Sequence, residues 1–308
     1  MQNEPQSMVT TRVVLLLALG MASFAFAPIF VRMAGESDPL ALAAIRTVTA
    51  ALVLVPFWLL RTSRAVTFFN RRDNLAATMA GAILGFHFIF WILAIQNTTV
   101  ASASILVTIH PVILILIEAG FFRRVFPPLV WLGVFVAFSG SVLLGYSDAR
   151  AETLFEHALL GDMYALIAAV LFALYFLISQ HLRQKSDWIN YVVRVYGATG
   201  ITCLAVALLS GSDFRVEPVV WIAGIALALG PQVLGHGSMN YAVKFVAPTL
   251  LATLILTEPV FATMLAWLLF GEIPPWLTFP AMAIIIAGVV LTWSGRARRK
   301  KNLAPSDK

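Results

Sequence analysis

Charged residues are scarce in this chain, and several motifs on which enzymes depend are missing. Asp, Glu, Lys and Arg make up 12% of the 308 residues, about half of the roughly 25% found in ordinary soluble domains. The single cysteine, Cys203, excludes an internal disulfide, and no cluster of Cys and His indicates a metal site. There is no G-x-x-x-x-G-K-[ST] loop, G-x-S-x-G elbow or H-E-x-x-H pair. These absences argue against direct use of ATP, against a hydrolase or metalloenzyme, and against a bound cofactor.

Long apolar runs fill most of the sequence. Hydrophobic residues make up 60% of the chain, and the mean hydropathy is +0.89. A helix needs about 20 apolar residues to cross a bilayer, and ten such runs predict an all-α membrane protein with ten transmembrane helices. The runs lie near residues 13–31, 40–60, 75–95, 100–122, 128–145, 160–181, 189–209, 219–241, 247–270 and 275–294.

Basic residues are concentrated in alternate loops, and this asymmetry sets the expected orientation. Sixteen of the 21 lie before the first predicted helix, in every second loop, or after the last helix. By the positive-inside rule these segments and both termini are cytoplasmic, with the protein in the inner membrane. The segment 296–308 is expected to be a basic cytoplasmic tail at the anionic leaflet. We therefore attribute the net charge of +6 to interaction with the lipid bilayer and not to binding of nucleic acid.

The second half of the chain repeats the first at a constant offset of 148 residues. Coinciding pairs include Arg46 and Arg194, Pro111 and Pro259, and Gly140 and Gly288. Each copy holds five predicted helices, so the second copy must enter the membrane in the opposite direction. We predict two inverted five-helix repeats, 10–146 and 158–295, with a substrate site at their interface. One alternative is a duplicated scaffold without transport. Another is that the N-terminal apolar run is a cleaved signal peptide, and its removal would leave four helices in the first copy and five in the second.

Several short motifs stand out in the two halves. They are Phe90-Trp91-Ile92-Leu93-Ala94, Val100-Ala101-Ser102-Ala103-Ser104, His110-Pro111-Val112, Thr257-Glu258-Pro259-Val260 and Gly271-Glu272-Ile273-Pro274-Pro275. These motifs resemble those of the EamA branch of the drug/metabolite transporter superfamily, over about residues 10–295. The resemblance implies a ten-helix transporter of small organic metabolites, and it favours export. Arg123-Arg124 replaces the Gly271-Glu272 motif of the second copy, and the opposite orientation of the copies explains this departure.

Ionisable residues inside predicted membrane helices are candidates for the site, because inserting one costs about 2.5–3.5 kcal/mol. His110 and Glu258 occupy equivalent positions directly before Pro111 and Pro259, which are expected to kink their helices. We predict that Glu258 binds a substrate cation or carries a coupling proton, with His110 as its partner. A protonated carboxyl bonded inside the bundle is the alternative for Glu258.

Arg46 and Arg194 form the other repeat-related pair, each within two turns of a helix end. A gate or charge pair near each mouth is expected, because long basic side chains extend toward the membrane surface. A salt bridge to Asp38 or Asp187 is the simpler alternative, and carboxylate binding by one arginine is the more specific one.

Aromatic and polar side chains at helical spacing complete the candidate site. His87, Phe90 and Trp91 fall at positions i, i+3 and i+4, and we expect them to share a face that lines the cavity. The eighth predicted helix has a comparable stripe, which consists of Gln232, His236 and Asn240. Lipid cannot satisfy these polar groups, so they should face the interior. Hydrogen bonds between helices are the alternative for the two amides.

Together these features predict a secondary transporter that works by alternating access, and not an enzyme. The expected cargo is a small organic metabolite such as an amino acid or a related amphipathic or aromatic compound. A proton gradient is the expected driving force if transport is active, and facilitated exchange fits the sequence equally well. The alternatives are an importer of a nucleoside, sugar or vitamin, a membrane-embedded lipid-modifying enzyme, and a structural or signalling membrane protein. The sequence carries no signal for an oligomeric state.

Overall fold

The computed structural model describes residues 6–61, 69–98, 100–149, 158–270 and 274–303, which form helices and connections without a β-strand. The helices of the first half are α1 (Gln6–Phe24), α2 (Ala27–Met33), α3 (Pro39–Arg61), α4 (Arg71–Asn97), α5 (Val100–Val107), α6 (His110–Gly120) and α7 (Pro128–Ala149). Those of the second half are α8 (Ala158–Lys185), α9 (Trp188–Leu209), α10 (Pro218–Leu227), α11 (Gly237–Ala242), α12 (Pro248–Ile255), α13 (Glu258–Phe270) and α14 (Thr278–Leu303). A π-helical segment, Ala228–His236, joins α10 to α11.

Eight helical segments among the described residues are long and apolar enough to cross a membrane. In the predicted span 100–122 the longer apolar helix is His110–Gly120, and within α7 the apolar stretch counted ends at Leu144. The predicted count of ten spans is therefore not confirmed among the described residues. The first difference has a local cause, because a turn at Thr108 and Ile109 divides this span into α5 and α6. The first three residues of the Gly271-Glu272-Ile273-Pro274-Pro275 motif and residues 304–308 of the predicted basic tail lie outside the described residues.

Helix boundaries follow the capping and proline chemistry of the sequence. The Asn70 side chain accepts a hydrogen bond from the Asp73 amide at 2.8 Å and so caps α4. The Asp187 side chain caps α9 by accepting from the Asn190 amide at 2.9 Å. Prolines stand in the first turns of α2, α6, α10 and α12. The amides of the first turn have no acceptor within the helix, so a proline there costs no helical hydrogen bond.

The kinks predicted at Pro111 and Pro259 are full breaks between helices. The helix α5 ends at Val107 before α6 begins at His110, and α12 ends at Ile255 before α13 begins at Glu258. A proline cannot donate to the carbonyl four residues earlier, so it ends the preceding helix. Both half-helix junctions therefore have the same origin in the sequence.

Helices of one half pack against helices of the other with approximate twofold symmetry. The 148-residue shift relates α3 to α9 and α7 to α14, and the members of each pair pack against one another. Gly140 crosses Ile285, and Gly288 crosses Ala137, so closely that neither glycine has room for a Cβ. These two crossings are the same contact under the shift, because Ala137 corresponds to Ile285.

The largest apolar cluster also draws on both halves of the chain. Buried Leu84 and Phe88 of α4 pack with Phe176 of α8 and Tyr196 of α9. Neither half has a separate core of this size in the described residues. The centre of the molecule, where the two halves meet, is therefore where a site shared by both is expected.

Candidate functional site

A cavity lies between the two halves, and twelve residues line it. The first half supplies Phe24, Ala27, Arg46, His87, Phe88, Trp91, Val107 and His110, and the second half supplies Phe172, His236, Ile255 and Glu258. The cavity volume is about 50 Å³, enough for about three to five waters at roughly 10–15 Å³ each. The wall helices must separate before the cavity can hold a metabolite.

Most of the lining consists of residues that correspond to one another under the 148-residue shift. The pairs are Phe24 and Phe172, Phe88 and His236, Val107 and Ile255, and His110 and Glu258. The remaining residues, Ala27, Arg46, His87 and Trp91, all come from the first half. The cavity thus follows the twofold packing in shape, while its charges and hydrogen-bonding groups differ between the two sides.

Aromatic and imidazole rings form one wall of the cavity. The ring of His236 lies edge-on to Phe24 at 4.9 Å and to Phe88 at 5.0 Å between centroids. Phe172 lies 5.3 Å from His87 and 4.6 Å from His110. Contacts of this edge-on or tilted kind match the ring quadrupoles and hold the side chains in place. This wall suits the flat or apolar part of a ligand.

Arg46 is buried in the cavity wall with little to neutralise it. Only 2% of the residue is exposed, and its Nε donates to Gln232 Oε1 at 3.2 Å. The guanidinium carbon lies 3.8 Å from the centroid of the Phe88 ring and 5.6 Å from that of Trp91, which is cation–π geometry. No acidic side chain of the described residues forms an ion pair with it.

The π-helical segment explains how Gln232 and His236 reach this site. Pro231 lies within the segment and removes one backbone donor, which favours the wider winding. The Tyr196 hydroxyl donates to the Gln232 carbonyl oxygen at 3.0 Å, so a side chain satisfies backbone in the segment. Such segments are common at functional sites.

His110 and Glu258 are equivalent in sequence but are bonded differently. The ring Nδ1 of His110 lies 2.8 Å from the Val107 carbonyl oxygen, the acceptor that Pro111 leaves without its helical donor. A carbonyl only accepts, so Nδ1 carries a proton and His110 stabilises the helix break. The Glu258 side chain makes no corresponding bond to the Ile255 carbonyl oxygen, and no described group donates to that oxygen or to the Glu258 side chain.

Three predicted site residues lie away from the cavity. Phe90 packs on Tyr164, with 5.6 Å between ring centroids. Asn240 accepts from the Tyr175 hydroxyl at 2.7 Å, within a buried network. Arg194 donates to the Asn190 carbonyl oxygen at 2.8 Å on its own helix. The structure thus brings together His87, Trp91, His110, His236, Glu258 and Arg46, but not these three.

Helix geometry accounts for two of these positions. At roughly 100° per residue, Trp91 lies about 40° around α4 from His87, whereas Phe90 lies about 60° in the opposite direction. The buried Phe88 shows that the cavity occupies the sector on the Trp91 side. A spacing of four residues keeps one face only in an α-helix, and the π winding before Asn240 shifts that face.

The loop acids proposed as arginine partners have other roles. Asp38 accepts hydrogen bonds from the Leu40 and Ala41 amides, at 2.8 Å and 3.2 Å. Asp187 caps α9 and also accepts from the Asn190 side chain at 2.7 Å. Both carboxylates thus stabilise the first turn of a helix in place of a distant arginine.

Three rings of the cavity wall, those of Phe24, Phe88 and Phe172, are not among the site residues predicted from the sequence. A phenylalanine is common in membrane helices and draws no attention by itself. The repeat nevertheless carried a signal, because Phe24 coincides with Phe172 and Phe88 with His236 under the shift. Positions that hold a phenylalanine or histidine ring in both copies were therefore better candidates for the cavity wall than periodicity alone indicated.

A second polar cluster lies at the end of α6. Glu118 is fully buried and accepts hydrogen bonds from Thr249 of α12 and from Arg124. Arg124 also donates to Gln180 of α8 at 3.0 Å. This cluster joins one helix of the first half to two helices of the second. In the part of the chain that the structure describes, no group of His, Cys, Asp and Glu could hold a metal ion.

Comparison with known proteins places these features in a family. The model of the EamA-like transporter family matches the chain twice, over residues 11–146 and 159–294. The uncharacterized transporter YdfC of Bacillus subtilis is 25% identical over 280 residues, which cover 90% of this chain and 89% of that protein. A probable terminal-alkyne amino-acid exporter of Streptantibioticus cattleyicolor is 28% identical over 62% of this chain and 63% of its own length. A solved crystal structure shares the fold, with a TM-score of 0.76 and 20% identity over 93% of this chain and 98% of that one.

Proposed function

Because the chain belongs to the EamA-like transporter family, we propose that it is a secondary transporter that exports a small organic metabolite by alternating access. Amino acids and related amphipathic or aromatic compounds are the first candidates for the cargo. We place it in the inner membrane, with both termini cytoplasmic and ten membrane-spanning segments arranged as two inverted five-helix repeats. A proton gradient is the proposed driving force.

One observation carries this proposal, namely a cavity between the halves whose lining consists largely of repeat-equivalent pairs. Two bundles of similar structure can exchange conformations with little difference in free energy, and a site between them then opens to either side. The cavity is small and most of its lining residues are buried, as expected for a carrier and not for an open pore. Export is supported by the similarity to a probable amino-acid exporter.

Counterflow in proteoliposomes tests the proposal. Vesicles with the purified protein are loaded with one unlabelled compound from a panel of amino acids and other metabolites, and uptake of the same labelled compound is followed. A carrier that exchanges substrate accumulates the label transiently, whereas an open channel only equilibrates it. If transport is coupled to protons, an inward proton gradient should accelerate movement of the compound out of the vesicles against its concentration gradient.

A matched pair of variants links the activity to the cavity. Ala27 lines it and Ala205 is exposed on α9, so Ala27→Phe fills the cavity and Ala205→Phe adds the same ring outside it. We expect counterflow to be lost in the first variant and kept in the second, with both eluting as the wild type does from gel filtration. Equal activity of the two variants would contradict a solute path through this cavity.

A further inference from the structure

The cavity contains one basic and one acidic side chain, those of Arg46 and Glu258, and neither has an ion-pair partner among the described residues. We propose that they bind the two ends of a zwitterion, with Arg46 holding the carboxylate of an α-amino acid and Glu258 holding its ammonium group. The apolar side chain of this ligand packs against the ring wall. The assignment rests on the transport function proposed above and makes it specific for one class of substrate.

The surroundings of Arg46 prepare it for a carboxylate. Gln232 binds its Nε, and the ring of Phe88 lies against the guanidinium face, so the plane of the group is held from two directions. Its two terminal nitrogens have no hydrogen-bond acceptor among the described residues. An arginine offers these nitrogens as a planar fork that matches the two oxygens of a carboxylate.

Glu258 lies in the same cavity and provides the opposite chemistry. No described donor reaches its side chain, and Ile255, whose carbonyl oxygen loses its helical donor to Pro259, also lines the cavity. An ammonium group has three N–H donors and no acceptor. It can therefore bind the Glu258 carboxylate and still donate to a neighbouring acceptor. Nδ1 of His110 donates to Val107, so its Nε2, which has no partner among the described residues, is such an acceptor in the same wall.

Charge balance makes the site selective for ligands that carry both groups. Arg46 and Glu258 line the same cavity without forming an ion pair. A zwitterion placed between them gives each fixed charge a counter-charge. A simple amine or a simple acid would pair one of them and leave the other buried without a partner, which is strongly unfavourable. A sugar or nucleoside has neither group.

The test uses the purified full-length protein and four related probes, namely phenylalanine, its amide, its N-acetyl derivative and phenethylamine. Binding is measured by thermal shift and calorimetry. Charge-assisted hydrogen bonds contribute about 1.5–3 kcal/mol, so phenylalanine should bind about 10- to 100-fold more tightly than each analogue. Wild-type protein that binds the amide or the N-acetyl derivative as tightly as phenylalanine would overturn the assignment.

Two variants separate the ends of the ligand. Arg46→Gln should abolish the preference for phenylalanine over its amide and retain the preference over the N-acetyl derivative. Glu258→Gln should give the reverse pattern. Arg215→Gln and Glu217→Gln make the same substitutions in an exposed loop and should change neither ratio. If Arg46→Gln fails to fold, Arg46→Lys retains the charge without the fork and should reduce the preference over the amide.

The outcome also distinguishes this assignment from the transport function. If phenylalanine and its analogues fail to bind while another metabolite shows counterflow that Ala27→Phe blocks, the zwitterion site is wrong and the transporter proposal stands. If phenylalanine binds with the predicted ratios but no compound shows counterflow, the site stands and transport by this route is wrong. Loss of both ratios in either single variant would contradict separate roles for the two charges.

Discussion

The crossing of α7 and α14 makes a quantitative prediction about stability. At Gly288 a Cβ would meet the backbone of Ala137, and at the equivalent Gly140 it would meet the backbone of Ile285. A backbone atom cannot move aside as the end of a flexible side chain can. Substituting either glycine by alanine should therefore force the two helices apart, and the twofold packing predicts effects of similar size at the two sites.

The magnitude follows from two opposing contributions. Replacing a helical glycine by alanine raises stability by about 1 kcal/mol through backbone propensity, whereas overpacking costs about 1–3 kcal/mol. Gly197 provides the matched control, because it lies in α9 with no atom within 4 Å of a new Cβ. The propensity gain is common to both variants, so Gly288→Ala should be less stable than Gly197→Ala by about 1–3 kcal/mol.

Reversible unfolding of the purified variants in detergent by a chemical denaturant would measure this difference. The slopes of the unfolding curves must agree before the free energies are compared. Gly140→Ala should agree with Gly288→Ala, and the double variant should fall short of the sum of the two because they share one interface. Equal stability of Gly288→Ala and Gly197→Ala would refute the close crossing and the symmetric contact inferred from it.

Two further predictions concern the buried acid and the orientation of the chain. Thr249→Val removes a donor to the buried Glu118 carboxylate and should lower the free energy of unfolding by about 1.5–3 kcal/mol, measured in the same way. The control Thr263→Val loses only a bond to its own helix, so an equal loss in both variants would contradict the prediction. In a cysteine-free background, Ser210→Cys should react with an impermeant maleimide in intact cells, and Gln184→Cys only after permeabilisation. The opposite pattern would contradict cytoplasmic termini.

Much of the fold was accessible from sequence because membrane helices depend on local properties. Runs of apolar residues, capping residues such as Asn70 and Asp187, and prolines act over a few positions. The division of the span 100–122 was harder to foresee, because Pro111 indicated a kink but not how far α5 would unwind before it. Whether this span is one membrane-crossing helix or two shorter helices depends on such details.

The site was less accessible, because it depends on which neighbour each side chain meets. Periodicity placed His87 and Trp91 on a face but did not indicate that Phe90 lies beyond the edge of the cavity. The repeat made His110 and Glu258 equivalent, yet only the position of the Val107 carbonyl oxygen distinguishes a ring that bonds its own helix from a carboxylate without a donor. Arg46 was expected near the mouth, and its contact with Gln232 depends on the π-helical winding.

The pairing of α3 with α9 and of α4 with α8 limits the motions that the molecule can use. If the halves moved apart as rigid bodies, the α3–α9, α4–α8 and α7–α14 contacts would all have to break together. Two mobile bundles that each combine helices from both halves could tilt past one another and keep most of these contacts intact. The unit that was duplicated and the unit that moves would then be different parts of the same chain.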